Sequence, residues 1–186
     1  MKIGISGAEG SFSEQAAKEY CQAEGIENPE LVYLTFVDAV LTALEAGEID
    51  RGIFAIENSN GGVVTEYLPA IAAHRFSIQK IFEMEVAHAL LARGGTRKEE
   101  IRIIISQNQA LRQCRMYVKR MFPSAEVVEY TDTATAAKDL AAGKFEEGSA
   151  VIASRAAGER YGLSILEEGI QDLKFNYTTF IAAEKA

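Results

Sequence analysis

Polar side chains gather in this chain where apolar strands give out. Ile56-Glu57-Asn58-Ser59-Asn60-Gly61-Gly62 closes an apolar run, and Ser106-Gln107-Asn108-Gln109, with Gln113 further on, follows Ile103-Ile104-Ile105. Gln171-Asp172 leads through Asn176 and Tyr177 to Thr178 and Thr179, and His88 stands in the apolar stretch Val86 to Leu91 near Glu83 and Glu85. Amides, hydroxyls and carboxylates of this kind suit the orientation of a small organic acid and hydrogen bonding to a reacting oxygen. They do not suit metal ligation. The two histidines, His74 and His88, stand alone, and no Cys/His cluster has ligand spacing, so no metal is expected. The turn Gly7-Ala8-Glu9-Gly10 lacks both the Lys-Ser/Thr of a P-loop and the third glycine of a dinucleotide fingerprint, so it is no nucleotide signature.

Each group also has a plainer role. Asn58 and Ser59 fit the cap of a following helix, and Ser106 fits another. Gln113 fits a solvent-facing helix position. Thr178 and Thr179 fit β-propensity at a strand start, and His88 fits a satisfied core histidine.

The elements that must position these residues alternate from the first residue onward. A strand over Ile3 to Ser6 leads to a helix opened by a capping box of Ser11 and Glu14 and ended at Gly25. A strand over Leu31 to Leu34, a helix opened by Thr35 and Asp38 and closed at Gly47, and a strand over Gly52 to Glu57 follow. The next helix turns Val64, Tyr67, Leu68 and Ile71 inward, and Arg75 to Leu91 holds two extended runs. Thr35 to Ile56 then matches Thr131 to Ile152 at a constant offset, pairing Leu44 with Leu140, Gly47 with Gly143 and Gly52 with Gly148. Ile3 to Cys21 is echoed by Ile103 to Ser106 and a helix from Gln109 through Phe122. The fold class is therefore α/β, as two similar α/β lobes with a ligand cleft between them. Strand ends and helix N-termini converge at such a cleft, and Ser6, Glu57-Asn58-Ser59, Ser106-Gln107 and Ser154 are candidates for its floor.

Composition bounds the function further. The 186 residues are 48% hydrophobic and 25% charged, with net charge −8, which opposes a nucleic-acid role. No apolar run has the length of a membrane span or leader, so a cytoplasmic protein with no membrane partner is expected. Cys21 and Cys114 fall in helical patterns and read as reduced core thiols. The apolar residues from Phe76 to Leu91 suggest a self-associating edge.

Taken together and in order, the blocks resemble the prephenate dehydratase family. They are Gly7 to Ser13, Ile56 to Ser59, His88 to Leu91, Ser106 with Gln109-Ala110-Leu111 and Gln113-Cys114, Ile152-Ala153-Ser154, Tyr161-Gly162-Leu163, Ile170-Gln171-Asp172, and Asn176 with Thr178 and Phe180. The resemblance covers almost the whole chain. It implies a type-II periplasmic-binding-protein-like pair of lobes and decarboxylative dehydration of prephenate to phenylpyruvate in phenylalanine biosynthesis, with no cofactor. It implies Thr178 as the catalytic residue, and Glu57, Asn58, Ser59, Ser106, Gln107 and Gln113 as substrate-binding residues. The partners it implies are a small dicarboxylate substrate and a second copy of the chain, as a homodimer or homotetramer.

The sequence departs from the family pattern at two places. Thr179 stands where the motif has arginine, and Gln107-Asn108 replaces His-Pro. A guanidinium that clamps a substrate carboxylate would be lost at 179, so restoring it should tighten prephenate binding. The family's regulatory ACT domain is expected to be absent. Arogenate dehydration, a non-aromatising prephenate decarboxylation and a catalytically silent acid-binding protein are the competing readings. For the closing strand to bring Thr178 beside Asn58, residues 1–82 with 171–186 should form lobe one and residues 83–170 lobe two. Two chain crossings would then make a hinge.

Overall fold

Strands and helices alternate through much of the chain, and the computed structural model describes every residue from Met1 to Ala186. In chain order the elements are β1 (Lys2–Ile5), α1 (Phe12–Ala23), β2 (Glu30–Tyr33), α2 (Val37–Ala46), β3 (Arg51–Asn58), β4 (Gly62–Val63), α3 (Leu68–Ala73), β5 (Phe76–Glu85) and β6 (His88–Ala92). They continue with β7 (Ile103–Ser106), α4 (Asn108–Gln113), α5 (Arg115–Met121), β8 (Glu126–Glu129), α6 (Thr133–Ala141), β9 (Ser149–Ser154), α7 (Arg155–Tyr161), β10 (Ser164–Glu168) and β11 (Tyr177–Lys185). No helix is long and apolar enough to cross a membrane.

The chain divides into two units, Met1–Glu85 with Tyr177–Ala186, and Val86–Asn176. These boundaries correct the expected ones. Glu85 still pairs with Tyr177 in the first sheet. Residues 171–176 belong instead to the second unit, where Gln171, Asp172 and Asn176 bond to His88, Gln113 and Val86.

The first unit is built on the strand order β2-β1-β3-β11-β5, with β4 hairpinned onto β3. β1 runs parallel to β2 and β3, while β11 is antiparallel to both β3 and β5. The second unit carries β8-β7-β9-β6-β10, with the same sequence of parallel and antiparallel pairings. The repeat read from the sequence is thus a repeat of topology. Gly47 and Gly143, matched in it, both take φ 73 just after a helix, a left-handed conformation that costs glycine little.

Apolar helix stripes bury both faces of each sheet. In the first unit Val40, Leu41 and Leu44 of α2 pack on Phe54, Ile181 and Ala183. Tyr20 of α1 stacks on Phe82, and Phe82 stacks on Phe180, with ring centroids 5.7 and 5.8 Å apart. In the second unit Ala136, Ala137 and Leu140 of α6 cover Leu91, Ile105 and Val151. Gly158 of α7 lets that helix approach Leu91, because an added Cβ would meet its Cδ2 at 2.8 Å.

Several local expectations are corrected. Ser11 caps α1 by accepting from the Glu14 N–H at 3.2 Å, but Glu14 reaches back to the N–H of Gly10, so the return half of the expected box falls one residue earlier. The cap of α2, by contrast, is Phe36 with no side-chain bond, and Thr35 lies at φ 63. Its counterpart α6 has Asp132 at the cap position, accepting from the Thr135 N–H at 2.8 Å. Tyr67 and Ile71 turn inward, but Leu68 is exposed. The helix expected from Gln109 to Phe122 breaks at Cys114 into α4 and α5. Asp172 accounts for the break. Its carboxylate accepts from the N–H groups of Met116 and Tyr117 at 2.8 and 2.9 Å, and its own N–H donates to the Gln113 carbonyl at 2.7 Å.

Candidate functional site

In the first unit the site is built across the pairing of β3 with β11. Thr178 lies directly opposite Asn58 in that ladder. Asn58 Nδ2 donates to Thr178 Oγ1 at 3.0 Å and to the Tyr177 carbonyl at 3.2 Å. Asn58 Oδ1 accepts the N–H groups of Asn60 and Gly61, both at 3.0 Å. Backbone donors on one side and a backbone acceptor on the other leave this amide one orientation. Both side chains are buried. Since the Thr178 oxygen accepts from Asn58, the hydroxyl proton remains a donor for another group.

The register that produces this pair depends on a bulge. Phe180 pairs with Ala55 and Thr179 with Glu57, so Ile56 is an extra residue on β3. Without it, Glu57 rather than Asn58 would face Thr178. Glu57 instead lies exposed opposite Thr179, on the reverse face of the sheet. Thr179 also pairs with Glu83 of β5, so a side chain at 179 sits between two carboxylates. The missing arginine therefore belongs to the face away from Asn58 and Thr178.

Ser59 finishes the ladder. Its N–H donates to the Tyr177 carbonyl at 2.8 Å, and its Oγ accepts from the Tyr177 N–H at 2.9 Å. It fixes the start of β11 at Tyr177, one residue before Thr178, the partner of Asn58.

In the second unit Gln113, at the end of α4, is the centre of a separate cluster. Gln113 Oε1 lies 2.7 Å from His88 Nε2 and 3.1 Å from Asn176 Nδ2. Asn176 Nδ2 also donates to the Val86 carbonyl at 3.0 Å. His88 and Asn176 are buried, whereas Gln113 is partly exposed. Burial of its ring holds the His88 pKa below the ordinary histidine value, against the raising effect of the Gln113 bond.

The other expected site residues play different parts. Ser106 is fully buried and donates its hydroxyl to the Ile152 carbonyl at 2.6 Å, so it ties β7 to β9 and does not cap α4. Gln107 holds the cap position of α4 without a side-chain cap bond and is exposed. Ser154 caps α7 by accepting from the Ala157 N–H at 3.0 Å. The structure thus brings Asn58, Ser59 and Thr178 together in one unit, and Gln113 with His88 and Asn176 in the other. His88 and Asn176 were not picked out as site residues from the sequence. The available signal was a histidine and an asparagine, each polar and each flanking an apolar strand without being a cap.

A family profile described as Prephenate dehydratase matches residues 3–186. Arogenate dehydratase 1 of Petunia hybrida is 35% identical over 182 residues, 97% of this chain and 41% of the relative. A bifunctional chorismate mutase/prephenate dehydratase of Stutzerimonas stutzeri is 33% identical over 181 residues, 97% of this chain and 48% of the relative. The chain therefore spans less than half the length of these curated relatives. The crystal structure of prephenate dehydratase from Arthrobacter aurescens in complex with L-Phe superposes with a TM-score of 0.90 at 28% identity, covering 100% of this chain and 61% of that one.

Proposed function

Because the chain belongs to the prephenate dehydratase family, we propose that it catalyses decarboxylative dehydration of prephenate to phenylpyruvate, a step of phenylalanine biosynthesis. The observation that carries the reading is the bond from Asn58 Nδ2 to Thr178 Oγ1 at 3.0 Å. A hydroxyl polarised in this way keeps its proton for the oxygen that leaves.

The chemistry asks for little else. The bond from the ring to its carboxylate breaks, and that electron pair enters the ring. The bond from ring to hydroxyl breaks at the opposite carbon, and the departing oxygen takes up a proton to leave as water. Aromatisation drives the sequence, so the protein supplies orientation and a donor where negative charge develops. Thr178 is that donor. Asn58 holds it. Arogenate, with an amine in place of the keto oxygen, is the competing substrate, and a relative bearing that name is 35% identical.

The test is incubation with prephenate at neutral pH, following phenylpyruvate by its absorbance in alkali, with a parallel arogenate reaction following phenylalanine by chromatography. Turnover of prephenate supports the reading. Turnover of arogenate alone reassigns the substrate, and binding of either acid without turnover would reduce the protein to an acid-binding role.

A cytoplasmic setting is supported by two buried free thiols, Cys21 and Cys114. Self-association through β5 is supported by its terminal place in the sheet and by exposed Ile78 and Ile81. Sedimentation that finds only monomer at micromolar concentration would remove that part of the proposal.

A further inference from the structure

We propose that His88 is a positioning residue: held as the Nε2–H tautomer, it fixes with Asn176 the orientation of the Gln113 amide, so that its donor end is the end offered to an acid. The proposal deepens the dehydratase reading and rests on it for the identity of the acid.

The orientation follows from one group that cannot be turned around. The Val86 carbonyl is backbone and can only accept, so the Asn176 atom 3.0 Å from it is the amide nitrogen. That NH2 group has a second hydrogen, and Gln113 lies 3.1 Å away along it. The Gln113 atom there must accept, so it is the carbonyl oxygen. His88 Nε2 lies 2.7 Å from the same oxygen and must therefore carry the proton. Turning the Gln113 amide over would set its NH2 against both the Asn176 NH2 and the His88 N–H. The penalty is large because His88 and Asn176 are buried.

The ring itself has little freedom. The His88 N–H donates to Gln171 Oε1 at 3.0 Å, and its carbonyl accepts from the Ile170 N–H at 3.1 Å. The backbone of Gln113 is held in turn by the Asp172 N–H at 2.7 Å. The segment 170–176 thus grips β6 and the end of α4 together. A carboxylate or keto oxygen needs donors, and an amide free to rotate would offer its carbonyl half the time.

Two measurements test this. In protein carrying 15N-labelled histidine, His88 should show the neutral Nε2–H pattern at pH 7.5. A Nδ1–H or charged ring overturns the proposal, whatever the protein does with prephenate. In steady-state assays His88→Leu should raise KM for prephenate about tenfold with kcat changed less than about threefold, as for a lost ground-state contact. His88→Gln, whose amide nitrogen reaches the place of Nε2, should restore KM to within about threefold of the parent. The Leu change should add nothing in a Gln113→Ala background. Equal loss in Leu and Gln variants, or additive loss with Gln113→Ala, overturns positioning in favour of a purely structural role. A parent inactive on both prephenate and arogenate would instead defeat the dehydratase reading while the tautomer measurement still decides this one.

Discussion

Thr178 Oγ1 accepts a hydrogen bond at 3.0 Å from the Nδ2 of Asn58, the residue directly opposite it in the antiparallel ladder of β3 and β11. The bond sets the hydroxyl's polarity as well as its place. If the proton is used only as the substrate's oxygen departs, Thr178→Ala lowers kcat by roughly one to three orders of magnitude with little change in KM. Thr178→Ser keeps most of the turnover. Steady-state kinetics on prephenate decides it, and undiminished kcat in Thr178→Ala sinks the catalytic assignment.

Asn58 allows a sharper test, because its two ends do different work. Asn58→Ala removes the acceptor for the Asn60 and Gly61 N–H groups as well as the donor to Thr178. It should raise KM, lower kcat and cost about 1–3 kcal/mol of stability. Asn58→Asp keeps the acceptor for the turn but would take the Thr178 proton for itself. The expected result is a kcat as low as that of Thr178→Ala. An Asp variant with parental kcat would show that hydroxyl polarity is irrelevant.

Thr179→Arg is expected to leave kcat/KM within about twofold of the parent. Thr179 pairs with Glu57 on one side and Glu83 on the other, facing away from Thr178. A guanidinium there meets two carboxylates on an open face, which is worth about 0–1 kcal/mol and fades with salt. Denaturant melts at low and high salt read the stability. Prephenate binding tightened tenfold would restore the reading in which this arginine holds substrate.

Ser106→Ala separates a strand tie from a substrate contact. The hydroxyl is fully buried and committed to the Ile152 carbonyl. Its removal should lower stability by about 1–3 kcal/mol, since that carbonyl is left without this donor. KM should stay close to that of the parent. A large KM effect with unchanged melting would make Ser106 a ligand group after all.

The fold was legible in the sequence because its signals are local and repeated. The apolar strands, the Ser11 cap, and the glycines 47 and 143 all act within a few residues. The matched segments 35–56 and 131–152 became matched topologies. Thr178 and Asn58 were legible as partners through family likeness, but the reason they meet was not. That reason is the single extra residue Ile56, which swaps Asn58 for Glu57 opposite Thr178. A bulge of one residue leaves no mark in hydrophobic alternation this short. The break at Cys114 was hidden for a different reason. Its cap is Asp172, far along the chain, and helix propensity knows nothing of such a partner.

Acid sensitivity gives the last test, and it concerns His88. Its ring is buried and its pKa is held below the ordinary value near 6.5, so the folded state resists protonation more than the unfolded chain does. Above pH 6.5 the ring is neutral in both states and makes no pH-dependent contribution. As pH falls below 6.5 the unfolded chain binds the proton first, so stability declines until the folded-state pKa is reached. His74 runs the other way. Its bonds to Glu45 and Asp38 raise its pKa, so it contributes stability at low pH that is lost as pH rises through the folded value. Comparing the parent with His88→Gln cancels the His74 term. Denaturant unfolding between pH 4 and 7 should show the parent losing more stability than the variant below 6.5. Parallel curves over that range would mean that His88 is charged, or exposed, in the folded protein.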